Sequence, residues 1–412
     1  MELKIEKNKL SFITIWIILI FSLHSDIPFD YFGLVFPSFF SIIFFLIVAN
    51  KISIRKNMII FFLILILFSI TCFILKESNQ NIEAFLRSVF QILFCFVVSY
   101  AIKDWILKSV DKDFLYKVIE KTLITLFVLI LLEWIGVLEN ISDKFGLLFY
   151  SGSVGFEYYG INEFALNRDE SLSGGRRPTL FSPEPSIPVI TITILSIILS
   201  FFSKQKSTIL SIIILISVWY IFNSPTPLLG ILAVLFGKII KLKKLSNKLG
   251  LFLITIFVGI IVSPLIYLRI KNIMAESQGI LTTSEGIRLI LPFLNTFNSY
   301  INGAYMGNAP GALADSNYIA SINPFGSTLF GTNIIALIFF YYGPLFTIFL
   351  IYLYWKSFKM VDKKYSSYIM GFIIFIILGY TLGAIENIRF LGFWSLVMVS
   401  WYISISSPKY EK

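Results

Sequence analysis

The stretch from Gly174 to Pro188 concentrates residue types that bind anions. Arg176 and Arg177 follow a pair of glycines, and Glu184 stands between two prolines just before an apolar run. Guanidinium groups hold phosphate oxygens through paired hydrogen bonds, and helix N-termini attract negative charge. These residues therefore predict a phosphate-binding site at the start of a helix. A structural interpretation stays open, in which the arginines contact lipid phosphates and Glu184 only caps the helix.

Two further stretches carry polar groups that could bind a substrate. Arg288 begins an amphipathic segment that runs to about Tyr300, and Tyr305 lies in the turn-rich stretch that follows. Ser224 and Thr226 lie in a short connection between two apolar runs, which predicts a helical hairpin with hydroxyl groups at its tip. A snorkelling arginine and hydroxyl groups that bond freed backbone atoms are the commoner explanations of such features.

The composition predicts that membrane helices carry these residues. Hydrophobic residues make up 57% of the chain, charged residues 14%, and the mean hydropathy is +0.83. A soluble domain rarely hides so much apolar surface. The fold class that follows is an all-α polytopic membrane protein with about twelve transmembrane helices. The apolar runs are 10–24, 33–49, 57–75, 84–102, 121–138, 185–203, 207–222, 226–240, 249–268, 329–354, 367–384 and 390–405.

The distribution of lysine and arginine predicts the topology. Basic residues cluster in one alternate set of connections, which places both termini in the cytoplasm of a bacterial-type inner membrane. The chain is then one integral membrane domain, 1–412, with long periplasmic loops at 139–184 and 269–325. Segment 103–121 reads as an amphipathic helix on the inner surface. Since topology accounts for the net charge of +10, we expect no nucleic-acid partner.

No metal or nucleotide motif is present in the sequence. Cys72 and Cys95 both lie inside apolar runs, where a cysteine is usually a small buried hydrophobic residue. No cluster of cysteine and histidine, phosphate-binding loop or dinucleotide fingerprint occurs. We therefore expect neither a metal nor a cofactor.

The same patches resemble Wzy-type O-antigen and capsular-polysaccharide polymerases. There, an arginine precedes a Gly-Leu-Phe-like stretch and a Glu-Pro-Ser, as Arg176 to Ser186 does here. The connection 223–227 resembles the Ser/Thr step of that family, and the loop with Arg288 resembles its second catalytic loop. A helix interrupted by glycine and proline near Gly343-Pro344 fits the family's later helices. Some polymerases of the family have an arginine followed by ten residues and then a glycine. Arg176, Arg177 and Arg288 are not spaced in that way, so the roles of the individual arginines stay open.

The resemblance implies a membrane glycosyltransferase of GT-C-like architecture that works without a metal. It would polymerise oligosaccharide repeat units carried on undecaprenyl diphosphate at the outer face of the membrane. In the implied mechanism, Arg176, Arg177 and Arg288 would bind and stabilise the departing diphosphate, and Glu184 would deprotonate or orient the acceptor hydroxyl. Ser186, Ser224, Thr226 and Tyr305 are the other candidate substrate contacts. Membrane lipids and a chain-length regulator are the other implied partners.

Two alternatives stay open. A ligase of the same superfamily uses a histidine in the second long loop, where this chain has none. A flippase or transporter of lipid-linked oligosaccharide usually shows repeated helix blocks and short loops, and we find no repeat.

Overall fold

The computed structural model describes residues 56–76, 79, 81–109, 112–150, 177–182, 185–201, 205–224, 226–241, 286–331 and 333–359. Within them the chain is helical, with one π-helical turn at Gly286–Ile290 and one 3-10 turn at Ala312–Ala314. The α-helices of these residues are α1 Lys56–Leu75, α2 Ile82–Ser109, α3 Lys112–Trp134, α4 Glu139–Tyr150, α5 Ser186–Phe201, α6 Gln205–Phe222, α7 Thr226–Lys241, α8 Leu291–Ile301, α9 Ser316–Ile322 and α10 Ile334–Lys359.

Helices α3 to α7 form one packing group around α5. Helices α5, α6 and α7 pack on one another, and α3 packs on α5 and α6. The Ser207 hydroxyl donates to the Tyr116 hydroxyl at 3.3 Å, and the rings of Trp134 and Tyr220 meet edge to face at 6.2 Å. The first contact joins the start of α3 to the start of α6, and the second joins the ends of the same two helices. The two helices therefore run in the same direction.

The short connections then determine which helix ends lie together. Helix α6 returns alongside α5, and α7 returns alongside α6, because only 202–204 and 223–225 separate them. Helices α5 and α7 are therefore parallel, and Gly230 lets α7 approach Thr193 of α5 closely. The ends of α3 and α6 and the beginnings of α5 and α7 consequently share one side of the group.

A second packing group contains α1, α2, α8, α9 and α10 with the π-helical and 3-10 turns. Helix α1 packs on α10, where the rings of Phe68 and Phe346 stack at 4.1 Å. Helix α8 also packs on α10, and polar side chains contribute to its buried face. Its buried face includes Asn295 and Ser299, while Phe297 is exposed.

Helix α10 breaks at Gly343-Pro344, where Gly343 has φ 66° and ψ 170°. Pro344 has no N–H to offer the carbonyl of Phe340, four residues earlier. The backbone N–H of Asn308 instead donates to that carbonyl at 2.9 Å. We call this contact of 304–309 with 339–344 the glycine crossing, because a Cβ on Gly307 or Gly343 would collide with the opposite backbone.

The structure contradicts the predicted membrane fold. In the part of the chain described, no helix combines the length and the hydropathy that a membrane span requires. The prediction of a polytopic membrane protein with about twelve transmembrane helices and GT-C-like architecture is therefore wrong, although its helical character is right. The predicted inner-membrane localisation, with both termini cytoplasmic, is contradicted by the same finding.

Individual elements give physical reasons for this correction. Helices α5 and α7 have 16 residues each. At a rise of 1.5 Å per residue, each is only about 24 Å long. The break at Gly343 divides the longest apolar run, 329–354, into two shorter helical pieces. Runs 10–24, 33–49, 249–268, 367–384 and 390–405 lie outside the described residues.

Several local predictions are confirmed. The connection 223–227 joins α6 and α7 as a tight helical hairpin, and Cys72 is buried. The segment after Arg288 is an amphipathic helix, and turns follow it.

The two long connections are partly helical, since α4 lies within 139–184 and α8 within 269–325. Segment 103–121 is not one helix, because α2 ends at Ser109 and α3 begins at Lys112.

Candidate functional site

Helix α3 ends in a way that directs an acidic side chain towards residues 177–182. The N–H of Gly136 donates to Glu133 O at 2.9 Å, and that of Val137 donates to Leu132 O at 2.8 Å. This pair of bonds is a Schellman motif, and the glycine takes its left-handed φ of 87°. Helix α4 starts three residues later. Ser142 of α4 and Glu133 of α3 thereby come to bind the same loop.

We call residues 177–182 the Glu133-bound loop. Glu133 is 5% exposed, and its carboxylate accepts three hydrogen bonds from this loop. Its Oε1 accepts from the N–H of Thr179 at 3.0 Å and from the Thr179 hydroxyl at 3.3 Å. Its Oε2 accepts from the N–H of Leu180 at 2.7 Å. Both carboxylate oxygens are thus used to hold the backbone of the loop.

Neighbouring groups complete the hydrogen bonding of this loop. The N–H of Phe181 donates to Ser142 Oγ at 3.1 Å, and the N–H of Ser182 donates to Thr179 O at 3.0 Å. The Ser142 and Thr179 hydroxyls are 3.1 Å apart. The backbone N–H groups of four successive residues, 179–182, therefore have acceptors, although none of these bonds is a backbone bond of a helix or a sheet.

The backbone that these bonds hold is strained. Leu180 and Phe181 have φ values of 46° and 63°, in the left-handed region that side chains with a Cβ disfavour. Leu180 is 1% exposed and belongs to the hydrophobic core, which anchors the loop from its other side. Strain of this kind persists only where the surroundings determine the backbone strongly. Burial and the carboxylate provide that determination here.

The predicted site residues of the first packing group lie at one side of it. Arg177 is half-buried at the start of the Glu133-bound loop, and Ser186 is the first residue of α5. Ser224 is half-buried, Thr226 is 4% exposed at the start of α7, and their hydroxyls are 3.4 Å apart. The directions of α3, α5, α6 and α7 place all of these residues at the side where α3 ends. Arg176 and Glu184 lie outside the described residues.

Arg288 belongs to the second packing group. Its backbone lies in the π-helical turn Gly286–Ile290, and its side chain is not among those described. Gly331 packs so closely against the carbonyl of Ile287 that a Cβ there would collide with it. The Asn295 side chain donates to Phe330 O at 3.0 Å and so holds the neighbouring segment. Turns of this type recur at functional sites.

Tyr305, the remaining predicted contact, is 62% exposed within the glycine crossing. The structure thus brings Arg177, Ser186, Ser224 and Thr226 to one side of the first group, whereas Arg288 and Tyr305 lie on elements of the second. Within the described residues, no group of three or more His, Cys, Asp or Glu side chains is arranged to hold a metal ion.

Glu133 is the residue that sequence reasoning missed. It lies inside the apolar run 121–138, whose hydropathy predicts only a membrane span. The signal available was an acidic residue three positions before a glycine, at the end of a long apolar segment. An acidic residue there opposes the helix dipole, so its presence calls for a partner elsewhere in the chain.

Comparison with known proteins identifies no relative. No protein-family model matches the chain, and no curated protein or solved structure is significantly similar to it.

Proposed function

We propose that the chain is a metal-independent glycosyltransferase that polymerises oligosaccharide repeat units carried on a polyprenyl diphosphate such as undecaprenyl diphosphate. The observation that carries the proposal is the position of Arg177. It begins a loop that a buried carboxylate holds in a strained conformation, at the side where α5 and α7 begin. An arginine beside helix N-termini is suited to bind a diphosphate.

The proposed glycosyl transfer requires positive charge beside the diphosphate and a base for the acceptor hydroxyl. In the proposed reaction, the bond between the anomeric carbon of the growing glycan and the diphosphate oxygen breaks. A sugar hydroxyl of the incoming unit forms the new glycosidic bond, and its proton passes to a base. Polyprenyl diphosphate leaves with the electrons of the broken bond. Positive charge that is already in place lowers the cost of that departure.

The remaining roles follow the resemblance to Wzy-type polymerases. Arg176 and Arg288 join Arg177 in binding the diphosphate, and Glu184 serves as the base that accepts the hydroxyl proton. Ser186, Ser224 and Thr226 supply hydroxyl groups for the phosphate or the sugar. Tyr305, which is 62% exposed, stacks on a sugar ring. A chain-length regulator remains the proposed protein partner.

The test is complementation of a strain that lacks the gene. The unmodified chain restores long polysaccharide, whereas Arg177→Ala leaves glycan with a single repeat unit. Arg177→Lys restores little of it, because lysine cannot make the paired hydrogen bonds of a guanidinium group. Arg87→Ala is the matched control, since Arg87 is an exposed arginine on α2, in the other packing group.

Long polysaccharide in cells that carry Arg177→Ala would contradict the assignment of Arg177. Accumulation of long chains on the lipid carrier in the deletion strain would instead identify a ligase. Incubation of the purified chain with lipid-linked repeat units separates both enzymes from a transporter, because a transporter forms no glycosidic bond.

A further inference from the structure

We propose that Glu133 is a positioning residue for Arg177, whose carboxylate holds the backbone from which Arg177 reaches a diphosphate. The inference rests on the proposed function for the identity of the anion. It adds a residue that neither the sequence patterns nor the resemblance assigns. Glu133 itself contacts the loop and not the reacting atoms.

The position of Glu133 on α3 is unfavourable for local reasons. It is the penultimate residue of the helix, where its charge opposes the dipole, and its side chain is buried. Three hydrogen bonds from Thr179 and Leu180 compensate for that burial. The acid therefore serves the Glu133-bound loop and not the helix that carries it.

A stiff connection transmits this constraint to Arg177. Only Pro178 separates Arg177 from Thr179, and its ring holds φ at about −65°. Pro178 is buried, so its ring has little room to move. Holding the N–H groups of Thr179 and Leu180 consequently fixes the direction in which the chain leaves the loop at Arg177.

Ser142 supplies an independent way to loosen the same loop. Its Oγ accepts from the N–H of Phe181 at 3.1 Å, and the side chain is buried. Ser142→Ala removes this acceptor without touching the carboxylate. It is the milder variant, and it keeps the inference testable if Glu133→Gln folds poorly.

The first measurement is hydrogen exchange of the full-length chain without any ligand. Glu133→Gln is nearly isosteric, but it places an NH2 group opposite backbone donors. We expect exchange in a peptide covering 177–182 to accelerate at least tenfold, while α6 and α10 keep their protection. Glu120→Gln is the matched control, because Glu120 lies on the same helix and bonds Tyr116 instead. Unchanged exchange in both Glu133→Gln and Ser142→Ala overturns the inference.

The second measurement is calorimetric binding of inorganic pyrophosphate, arranged as a double-mutant cycle. We expect Arg177→Ala to weaken binding at least tenfold and Glu133→Gln to weaken it about fivefold. In the Arg177→Ala background, Glu133→Gln should change the affinity by less than twofold, because it acts only through Arg177. A general loss of structure would weaken binding again in that background, and this result overturns the inference.

The two arms separate this inference from the proposed function. If Arg177→Ala binds pyrophosphate as well as the unmodified chain does, the diphosphate role fails even where exchange shows a held loop. If Arg177→Ala weakens binding but Glu133→Gln neither weakens it nor loosens the loop, the positioning role fails and the proposed function stands.

Discussion

The Glu133-bound loop and the glycine crossing stabilise irregular backbone in opposite ways. In the loop, a buried side chain accepts hydrogen bonds from successive N–H groups. In the crossing, main-chain groups bond one another directly, with Asn308 N on Phe340 O at 2.9 Å and Ala309 N on Tyr341 O at 3.0 Å. The first arrangement depends on the hydrogen-bonding side chain of one residue, and the second depends on the absence of side chains at two positions.

This difference predicts different kinds of sensitivity. The nearly isosteric change Glu133→Gln can weaken the hydrogen bonds that hold the loop without adding or removing volume. Two backbones in direct contact tolerate no added atom, so the crossing is a fixed structural joint. An arginine that leaves such a held loop keeps a defined direction, as the proposed binding of a diphosphate requires.

The largest expected effect is steric and falls on the glycine crossing. Gly343→Ala places a methyl group against the Tyr305 carbonyl at a φ of 66°, so we expect a loss of about 3 kcal/mol or more in the free energy of unfolding. Gly326→Ala is the control, because Gly326 has the same φ and open space around it. It should cost about 1 kcal/mol. Equal losses in thermal unfolding would refute the close approach.

Removal of the carboxylate comes next in magnitude. Glu133→Ala leaves the buried N–H groups of Thr179 and Leu180 without their acceptor, and we expect a loss of about 2–3 kcal/mol. Glu120→Ala on the same helix should cost no more than about 1 kcal/mol, because that side chain is only half-buried. Chemical denaturation of both variants makes the comparison. A small loss for Glu133→Ala would mean that burial alone holds the loop.

Single hydrogen bonds sharpen the comparison further. Tyr300→Phe removes the hydroxyl that donates to Phe339 O at 2.6 Å beside the crossing, and Ser142→Ala removes the acceptor of Phe181 N. We expect each to cost about 1–2 kcal/mol in denaturation experiments. Similar losses for the two variants would show that the two regions do not differ in the strength of such single hydrogen bonds. The difference between them would then come from the glycines of the crossing and the carboxylate of the loop. A much larger loss for Tyr300→Phe would show that the crossing depends on this side chain.

At neutral pH the titration of the Cys72 thiol has no effect on stability, and its contribution changes only in alkali. Cys72 Sγ donates to Met306 O at 3.0 Å, and burial raises the pKa of the Cys72 thiol from 9.0 to about 12. The folded state therefore binds this proton more tightly than the unfolded state does. The resulting stability is complete below pH 9 and is lost as the pH rises towards 12.

Cys72→Ala isolates this contribution. The difference in unfolding free energy between the unmodified chain and Cys72→Ala should be constant below pH 9 and shrink above it. Tyr300 and the other groups that titrate in alkali are present in both proteins, so their contributions cancel in this difference. A difference that stays constant up to pH 11 would contradict the raised pKa.

The sequence alone identified where helices form. Apolar runs 57–75, 207–222 and 226–240 coincide closely with α1, α6 and α7, because uninterrupted apolar runs of this length are too long for ordinary strands. It also placed the hairpin tip at 223–227 and the break at Gly343-Pro344, since proline has no N–H and glycine tolerates a positive φ. Each of these features depends on residues close together in the chain.

Hydropathy led to the wrong prediction of membrane spans, because that conclusion depends on more than the local sequence pattern. A run of apolar residues gives the same signal whether it spans a membrane or packs against other helices. The runs therefore predicted spans that the described helices do not provide, as α5, with 16 largely buried residues, illustrates.

Only the tertiary structure decided what Glu133 does and which candidate residues share a side of the fold. Glu133 and Thr179 are 46 positions apart, and Tyr300 and Phe339 are 39 apart. No spacing rule links such residues, because their contacts depend on how helices pack and turn. The residue types that could bind a diphosphate were legible in the chain. The carboxylate that orients one of them became visible only when the end of α3 met the loop before α5.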